Sequence, residues 1–369
     1  MTRPLTLAPY DPGWPAAYTA EAAAITSALG LAEHGGVLYD LAHIGSTSVP
    51  GLVAKPCIDI VARIHPLPPP AHTLAALAAL GYTYRGEHGV PGRHYLHRAD
   101  EVHLHVVSFD TEHYAHHVLF RDLLRDHAPS RDRYAALKTS LAHLLPHARP
   151  AYTAAKAPLI TELVALAETH HVARTAFAPI HALTAALADA PVPWAVASGW
   201  ALDLALAAPS RHHDDLDLAV ARHDAPDLLN HLAATAWTLH VVVAHGAYLP
   251  WTPTTPIPPD AHQVHARRAG VFLDILLEPR DPDLWRFRRH PSITRPLSLA
   301  LQHAMGVPIL APELVLLFKA ATRGAPPRPK DERDFARVAH TLAPEPRRWL
   351  IEALRTVSPG HGWIEALEG

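Results

Sequence analysis

Twice along this chain an apolar stretch runs into a Gly/Ser turn and then, after an interval, into a strand that opens on aspartate. The first instance is Ile44-Gly45-Ser46 ahead of Ile58-Asp59-Ile60; the second is Ala197-Ser198-Gly199 ahead of Asp215-Leu216-Asp217. The surrounding sequences are unalike, so what repeats is an order of elements, and that points to two copies of one fold. A chain of 369 residues also exceeds what one core usually holds. Two domains are expected, 1–168 and 169–369. Each is α+β, a mixed sheet with flanking helices and a helical C-terminal extension.

In the first half an alanine-rich helix ends near Gly30, and strands are expected at Val37–His43, Pro56–Ile64 and Val102–Val107. Ala71–Leu80 reads as a short helix closed by Gly81. In the second half, helices are expected at Ile180–Ala188, Trp200–Leu206 and Ala225–Ala236. Strands are expected at Trp194–Ala197, Asp215–Val220 and Val271–Leu277, with helix over Pro312–Ala321 and again from Glu332 onward.

Composition narrows the function classes. Thirty-two basic residues against 35 acidic ones leave a net charge of -3, so a nucleic-acid substrate gripped through its phosphates is disfavoured. One cysteine, Cys57, excludes an intrachain disulfide. No apolar run approaches a membrane span and no long apolar leader opens the chain, so a soluble, cytoplasmic protein is expected. Nothing in the sequence sets an oligomeric state.

The second half carries the stronger chemistry. Alternate side chains of a strand share a face, so Asp215 and Asp217 point together. Asp274 is an acid inside an otherwise apolar strand, Val271–Leu277, and its burial is costly without a cation or hydrogen bonds. Three such carboxylates are the expected catalytic and metal-binding set, able to hold two Mg²⁺ ions ~4 Å apart. Ser198-Gly199, between a strand and a helix, offers backbone N–H groups to a triphosphate. Asp203 reads as a surface residue and Asp214 as a turn cap. Lys319 is either a lysine snorkelling at the core edge or a cation for the phosphates. The basic cluster Arg286, Arg288, Arg289 and His290 reads as a solvated loop. Asp274, Glu278 and Asp283 are candidate general bases.

Ser198-Gly199-Trp200-Ala201-Leu202-Asp203 with Arg211-x-His213-Asp214-Asp215-Leu216-Asp217 resembles the aminoglycoside 2″-adenylyltransferase and lincosamide nucleotidyltransferase group. The likeness extends through Leu310–Lys319 and Lys330-Asp331-Glu332-x-Asp334-Phe335. It implies a nucleotidyltransferase fold, an ATP or other NTP donor, a small hydroxylated acceptor, and nucleotide contacts at Ser198, Gly199, Arg211, His213, Lys319 and Lys330. The turn is Ser-Gly here, where that group has Gly-Gly or Gly-Ser.

His43-Ile44-Gly45-Ser46-Thr47-Ser48-Val49-Pro50-Gly51-Leu52 followed by Ala54-Lys55-Pro56-Cys57-Ile58-Asp59 resembles the GrpB family, which is assigned to the same fold. The likeness continues through His103-x-His105, Phe120–Arg125, Tyr134-x-x-x-Lys138 and Tyr152-x-x-x-Lys156. Gly45, Ser46, Thr47 and Lys55 are the expected phosphate or nucleotide contacts here. Asp59 is the expected metal ligand at the first carboxylate position, with apolar Val61 standing where the second belongs. His103 and His105 share a face, either as strand histidines bonded to neighbours or as ligands for a softer metal. Arg121, Arg125, Lys138 and Lys156 form either a solvated face or a basic wall.

The expected function is Mg²⁺-dependent transfer of NMP, with AMP foremost, to a small-molecule hydroxyl by the second half. A nucleotide-sensing regulatory protein and nucleotidylation of a protein partner are the alternatives.

Overall fold

In a computed structural model the described residues are 6–31, 37–99, 101–108, 111–145, 147–243, 248–268, 271–320 and 326–369. They divide into two compact units, Met1–Arg174 and Thr175–Gly369. The boundary expected after residue 168 falls inside a helix that runs on to Thr175.

The first unit runs α1 (Trp14–Leu29), β1 (Leu38–Ile44), β2 (Ile58–Ile64), α2 (Ala71–Ala79), β3 (Thr83–Tyr84), β4 (Arg93–Arg98), β5 (Val102–Val107), α3 (His113–Asp126), α4 (Ala128–Ser140) and α5 (Arg149–Thr175). Its sheet order is β1-β2-β5-β4-β3. β2 and β5 pair in parallel, and both strands are buried along nearly their whole length. Parallel strands are covered on both faces, which explains the unbroken Ile60-Val61-Ala62 run.

The second unit runs α6 (Ala178–Ala186), β6 (Trp194–Val196), α7 (Ser198–Ala205), β7 (Leu216–Ala221), α8 (Ala225–Ala234), β8 (Thr238–Val242), β9 (Tyr248–Pro250), β10 (Gln263–Arg268), β11 (Val271–Glu278), β12 (Leu284–Arg286), β13 (Thr294–Pro296), α9 (Leu297–Ala300), β14 (Leu301–Ala304), β15 (Val307–Leu310), α10 (Pro312–Ala320), α11 (Pro329–Val338), α12 (Pro344–Val357) and α13 (Gly362–Glu368). Its main sheet is β14-β15-β6-β7-β11-β10-β8-β9. Fully buried Leu218, Val220, Leu273 and Ile275 lie in a core completed by Trp200, Leu228 and Leu314.

The two units share a four-strand plan. β1/β2 and β6/β7 are antiparallel, β2/β5 and β7/β11 parallel, β5/β4 and β11/β10 antiparallel. The turn after the first strand of each set fixes the correspondence. Ile44 pairs with Asp59, and the Ala197 N–H donates to the Asp217 carbonyl at 2.9 Å. The next residue takes positive φ in both units, Gly45 at 68° and Ser198 at 54°, a conformation that glycine adopts without steric cost and serine does not. Asp59 therefore corresponds to Asp217. The expected alignment was one strand-step off: the position matching Asp215 is Cys57, not Asp59, and Val61 is a fully buried core residue.

Candidate functional site

The second unit brings its three acids to one end of the β7/β11 ladder. Asp274 pairs directly with Asp217 across the parallel strands, and Asp215 stands two residues before Asp217, just outside β7. Gln263 of β10 donates its amide to Asp274 Oδ2 at 2.7 Å. Asp274 Oδ1 is buried with no hydrogen-bond partner among the described residues, with His265 Nε2 3.9 Å away. Burial and the neighbouring Asp215 push the Asp217 carboxyl up to about 7, against the opposing Ser198 hydrogen bond and the charges of Lys319 and Lys330. Burial, Asp217 and Asp215 drive the Asp274 carboxyl well above its usual range. Acids that hold protons against one another, one of them with an orphaned buried oxygen, suit a divalent cation, which would replace those protons. Among the described residues, however, it is Cys57, Asp59 and His103 that offer ligand atoms all within 4.8 Å of one another, and the three aspartates are spread more widely.

The groups around the acids divide into those that face them and those that brace the fold. The Ser198 hydroxyl is spent on Asp217. Gly199 admits no side chain, because a Cβ there would lie 2.4 Å from His213 Cε1 and 2.7 Å from Arg211 Nη2. His213, expected at the nucleotide, is a buried ring stacked on Trp200 at 4.3 Å, with Nε2 2.9 Å from Asp203 Oδ2. Asp203, expected at the surface, is completely buried. It also accepts from the Ser210 N–H and from Arg337. It reads as exposed in sequence because its partners lie 7 to 134 positions away.

Lys319 is buried with Nζ 2.6 Å from Asp331 and 2.7 Å from Asp334, so neither expectation for it holds in simple form. It is an ion-paired cation whose field also reaches Asp217. Arg211 Nη2 lies 3.5 Å from the same Asp334. Lys330 is half-buried; burial and then Arg328 and Arg211 lower its pKa, while Asp215 and Asp214 raise it. Asp214 itself lies 3.6 Å from His212. Among the base candidates, Glu278 accepts from the Trp285 indole at 2.9 Å and burial raises it to about 7, while Asp283 is exposed. In the basic cluster, Arg286 pairs with Asp281 and Arg289 donates to the Phe318 carbonyl.

The corresponding end of the first unit holds a different donor set. His103 of β5 pairs with Asp59 of β2 as Asp274 pairs with Asp217. The His103 Nδ1–Asp59 Oδ1 distance is 2.9 Å, and His105 Nε2 is 4.0 Å from the same oxygen. Burial pushes the Asp59 carboxyl up, but His103, His105 and Lys55 outweigh it and the pKa is lowered. Gly45 is indispensable here, since a Cβ would lie 2.4 Å from Asp59 Oδ2. Thr47, expected at a phosphate, is buried; its hydroxyl donates to the Cys57 carbonyl at 3.1 Å and meets His43 at 3.0 Å. Arg121 and Arg125 brace the turn through the carbonyls of His43 and Ser48. Ser46, Lys55, Lys138 and Lys156 line a cavity of about 170 Å³ that reaches Cys57, Asp59 and His103. A second cavity, of about 770 Å³, shares Asp59 and His103 and is walled by Tyr95, Arg93 and His97.

Both sheets thus carry the nucleotidyltransferase plan, and residues 179–338 match the family model described as aminoglycoside-2''-adenylyltransferase; the second unit is of the nucleotidyltransferase class. Residues 4–165 match the model described as GrpB protein, and the chain belongs to the GrpB family. UPF0157 protein PA4798 of Pseudomonas aeruginosa is 38% identical over 176 residues, 44% of this chain and 68% of its own length. UPF0157 protein BH1888 of Halalkalibacterium halodurans is 34% identical over 162 residues, 43% and 80% respectively. Among solved structures, conserved protein GrpB from Enterococcus faecalis aligns at TM-score 0.40 and 30% identity, over 44% of this chain and 96% of that one. Antibiotic-resistance factor ANT(2'')-Ia aligns at TM-score 0.35 and 17% identity, over 53% and 96%. Among the described residues no helix is long and apolar enough to cross a membrane.

Proposed function

We propose that the second unit transfers a nucleoside monophosphate, AMP foremost, from a triphosphate to a hydroxyl of a small molecule. The observation that carries this reading is the in-register pair Asp217–Asp274 with Asp215 beside it, the first two held above their ordinary pKa by burial and by their acidic neighbours. Divalent ions, Mg²⁺ in the first instance, would be held by these carboxylates and would supply charge stabilisation at the reacting phosphate. The chain's own groups do the rest. Lys319, Lys330 and Arg211 set a positive field around the carboxylates, in which a triphosphate can bind. Ser198 holds Asp217 in place, and Gly199 keeps the turn clear of any side chain. Of the acids weighed as general base, Glu278 has an oxygen committed to Trp285 and Asp283 is exposed, which favours Asp274, once ionised, as the group that takes the acceptor's proton. The acceptor oxygen bonds to the α-phosphorus, the bond to the bridging oxygen breaks, and pyrophosphate leaves. A triphosphate donor suits a cytoplasmic setting.

The first unit is read as a binder of a phosphate or nucleotide. Its lysine-lined cavity adjoins one walled by Tyr95, which suits a phosphate beside a base. That observation also supports a sensing role for this unit.

Incubation of the protein with ATP, Mg²⁺ and a cell extract, followed by untargeted mass spectrometry, tests the main reading. A small compound should gain one nucleotide mass as pyrophosphate is released in equal amount. If the label lands on protein instead, the acceptor class is wrong; if no nucleotide moves, the reaction is.

A further inference from the structure

The correspondence between the two units completes a ligand set of which the sequence pattern offered only Asp59 and a strand histidine, by bringing Cys57 into it. In the second unit the three positions are Asp215, Asp217 and Asp274. In the first they are Cys57, Asp59 and His103, two of the three acids having been exchanged for a thiol and an imidazole. We propose that the first unit holds a zinc ion on Cys57, Asp59 and His103, with its remaining coordination position open to a phosphate-class oxyanion.

Three observations converge on this. One ligand atom from each of the three residues lies within 4.8 Å of the others, so small side-chain movements bring them to the ~3.4–3.7 Å separations around a tetrahedral ion with ~2.3 Å Zn–S and ~2.0–2.2 Å Zn–N and Zn–O bonds. The backbone fixes the set before any ion arrives. Asp59 and His103 face each other across a parallel ladder, and Cys57 is clamped by Thr47 Oγ1 at its carbonyl and by the Lys55 carbonyl at its N–H. Cys57 and His103 are buried, 2% and 7% exposed, so two of the three donors are already withdrawn from water, while the partly exposed Asp59 marks the side from which an ion can enter. The donor chemistry then decides the metal. Thiolate and imidazole favour Zn²⁺ over Mg²⁺, which takes oxygen ligands. Three protein ligands leave a tetrahedral ion one free position, and the cavity next to this set is lined by Lys55 and Lys156, with buried Lys138 donating to the Val53 carbonyl. Those charges favour an anion, and a phosphate oxygen can complete the shell.

Cys57 is the chain's single cysteine, which makes the test specific. The full-length protein is stripped with chelator and titrated with Co²⁺. A thiolate-to-cobalt charge-transfer band should grow to saturation at one equivalent, because only Cys57 can give it. Zn²⁺ should abolish the band, and slow alkylation of the thiol by at least about tenfold. Cys57→Ser should lose the band, and His103→Gln should weaken Co²⁺ binding at least about tenfold. Inorganic phosphate added to the cobalt form should shift its visible bands. Cobalt binding without the charge-transfer band, or a thiol that reacts equally fast with and without zinc, overturns the metal site; both are measured on the unaltered chain, so a variant that fails to fold does not blur the result. A cobalt spectrum indifferent to phosphate overturns the anion position.

Discussion

Desolvation and the neighbouring Asp215 push the Asp217 carboxyl up to about 7, and that single shift ties proton, metal and stability together. Its folded pKa is raised from 3.8, so between about 3.8 and about 7 the native chain retains a proton that the unfolded chain has lost. Metal-free stability therefore falls as pH rises through that window, and Asp274 adds to the fall in the same sense. A cation must displace these protons. Mg²⁺ affinity should consequently rise with pH up to and through about 7, with protons released on binding. Calorimetry in buffers of different ionisation enthalpy measures that release; pH-independent binding with none would contradict the assigned site. Asp203 makes the complementary case of an acid whose partners win. Burial raises it, yet His213 and the Ser210 N–H bring it to about 2. Asp203→Ala strands a buried imidazole and Arg337, and should cost about 3–5 kcal/mol in denaturant unfolding. A loss below about 1 kcal/mol would show that the loop is not braced there.

At the scale of elements, the parallel ladder does the positioning. β7 and β11 set Asp217 against Asp274, and β2 and β5 set Asp59 against His103; the identity of the two facing residues then decides which ion each unit suits. Much of this was legible in the sequence. Period-two alternation revealed the Asp215/Asp217 pair, and an acid amid Val271–Leu277 betrayed a compensated burial. The central strands and the helix after the Ser198 turn fall within a few residues of expectation. Strands β8 to β10, the separate β12/β13 pair, β14 and β15 were not foreseen, since strands of three to six residues carry little periodicity. What failed outright was register in the first unit. Asp59 was placed one strand-step early because the sequence carries no signal of which residue pairs with the turn. The positive φ shared by Gly45 and Ser198 supplies that signal, and with it Cys57 enters the site. Long-range partners were invisible for the same reason. Nothing near Asp203 or Lys319 in sequence announces Arg337, Asp331 or Asp334 as its counter-charge.

The whole molecule consists of two units with separate cores, and the chain labels them almost exclusively. Of eight tryptophans, Trp14 alone lies in the first unit, whereas the single thiol, Cys57, lies there too. Heating monitored by tryptophan fluorescence therefore reports the second unit, and thiol labelling reports the first. Mg²⁺ with a non-hydrolysable ATP analogue should raise the fluorescence midpoint, by about 2–4 °C per kcal/mol of binding energy. Zn²⁺ should instead protect the thiol and leave that midpoint unmoved. Equal responses of both probes to either ligand would mean that the units do not act as separate sites.

The account stands or falls on the three carboxylates of the second unit acting together. The direct measurement is Mg²⁺-dependent pyrophosphate release from ATP in the presence of acceptor, compared between the unaltered chain, Asp217→Asn and Asp274→Asn. Both substitutions keep the shape of the side chain and remove its charge, and each should lower turnover by at least about 100-fold while far-ultraviolet circular dichroism stays unchanged. Turnover that survives either substitution within a factor of a few would place the chemistry elsewhere in the chain.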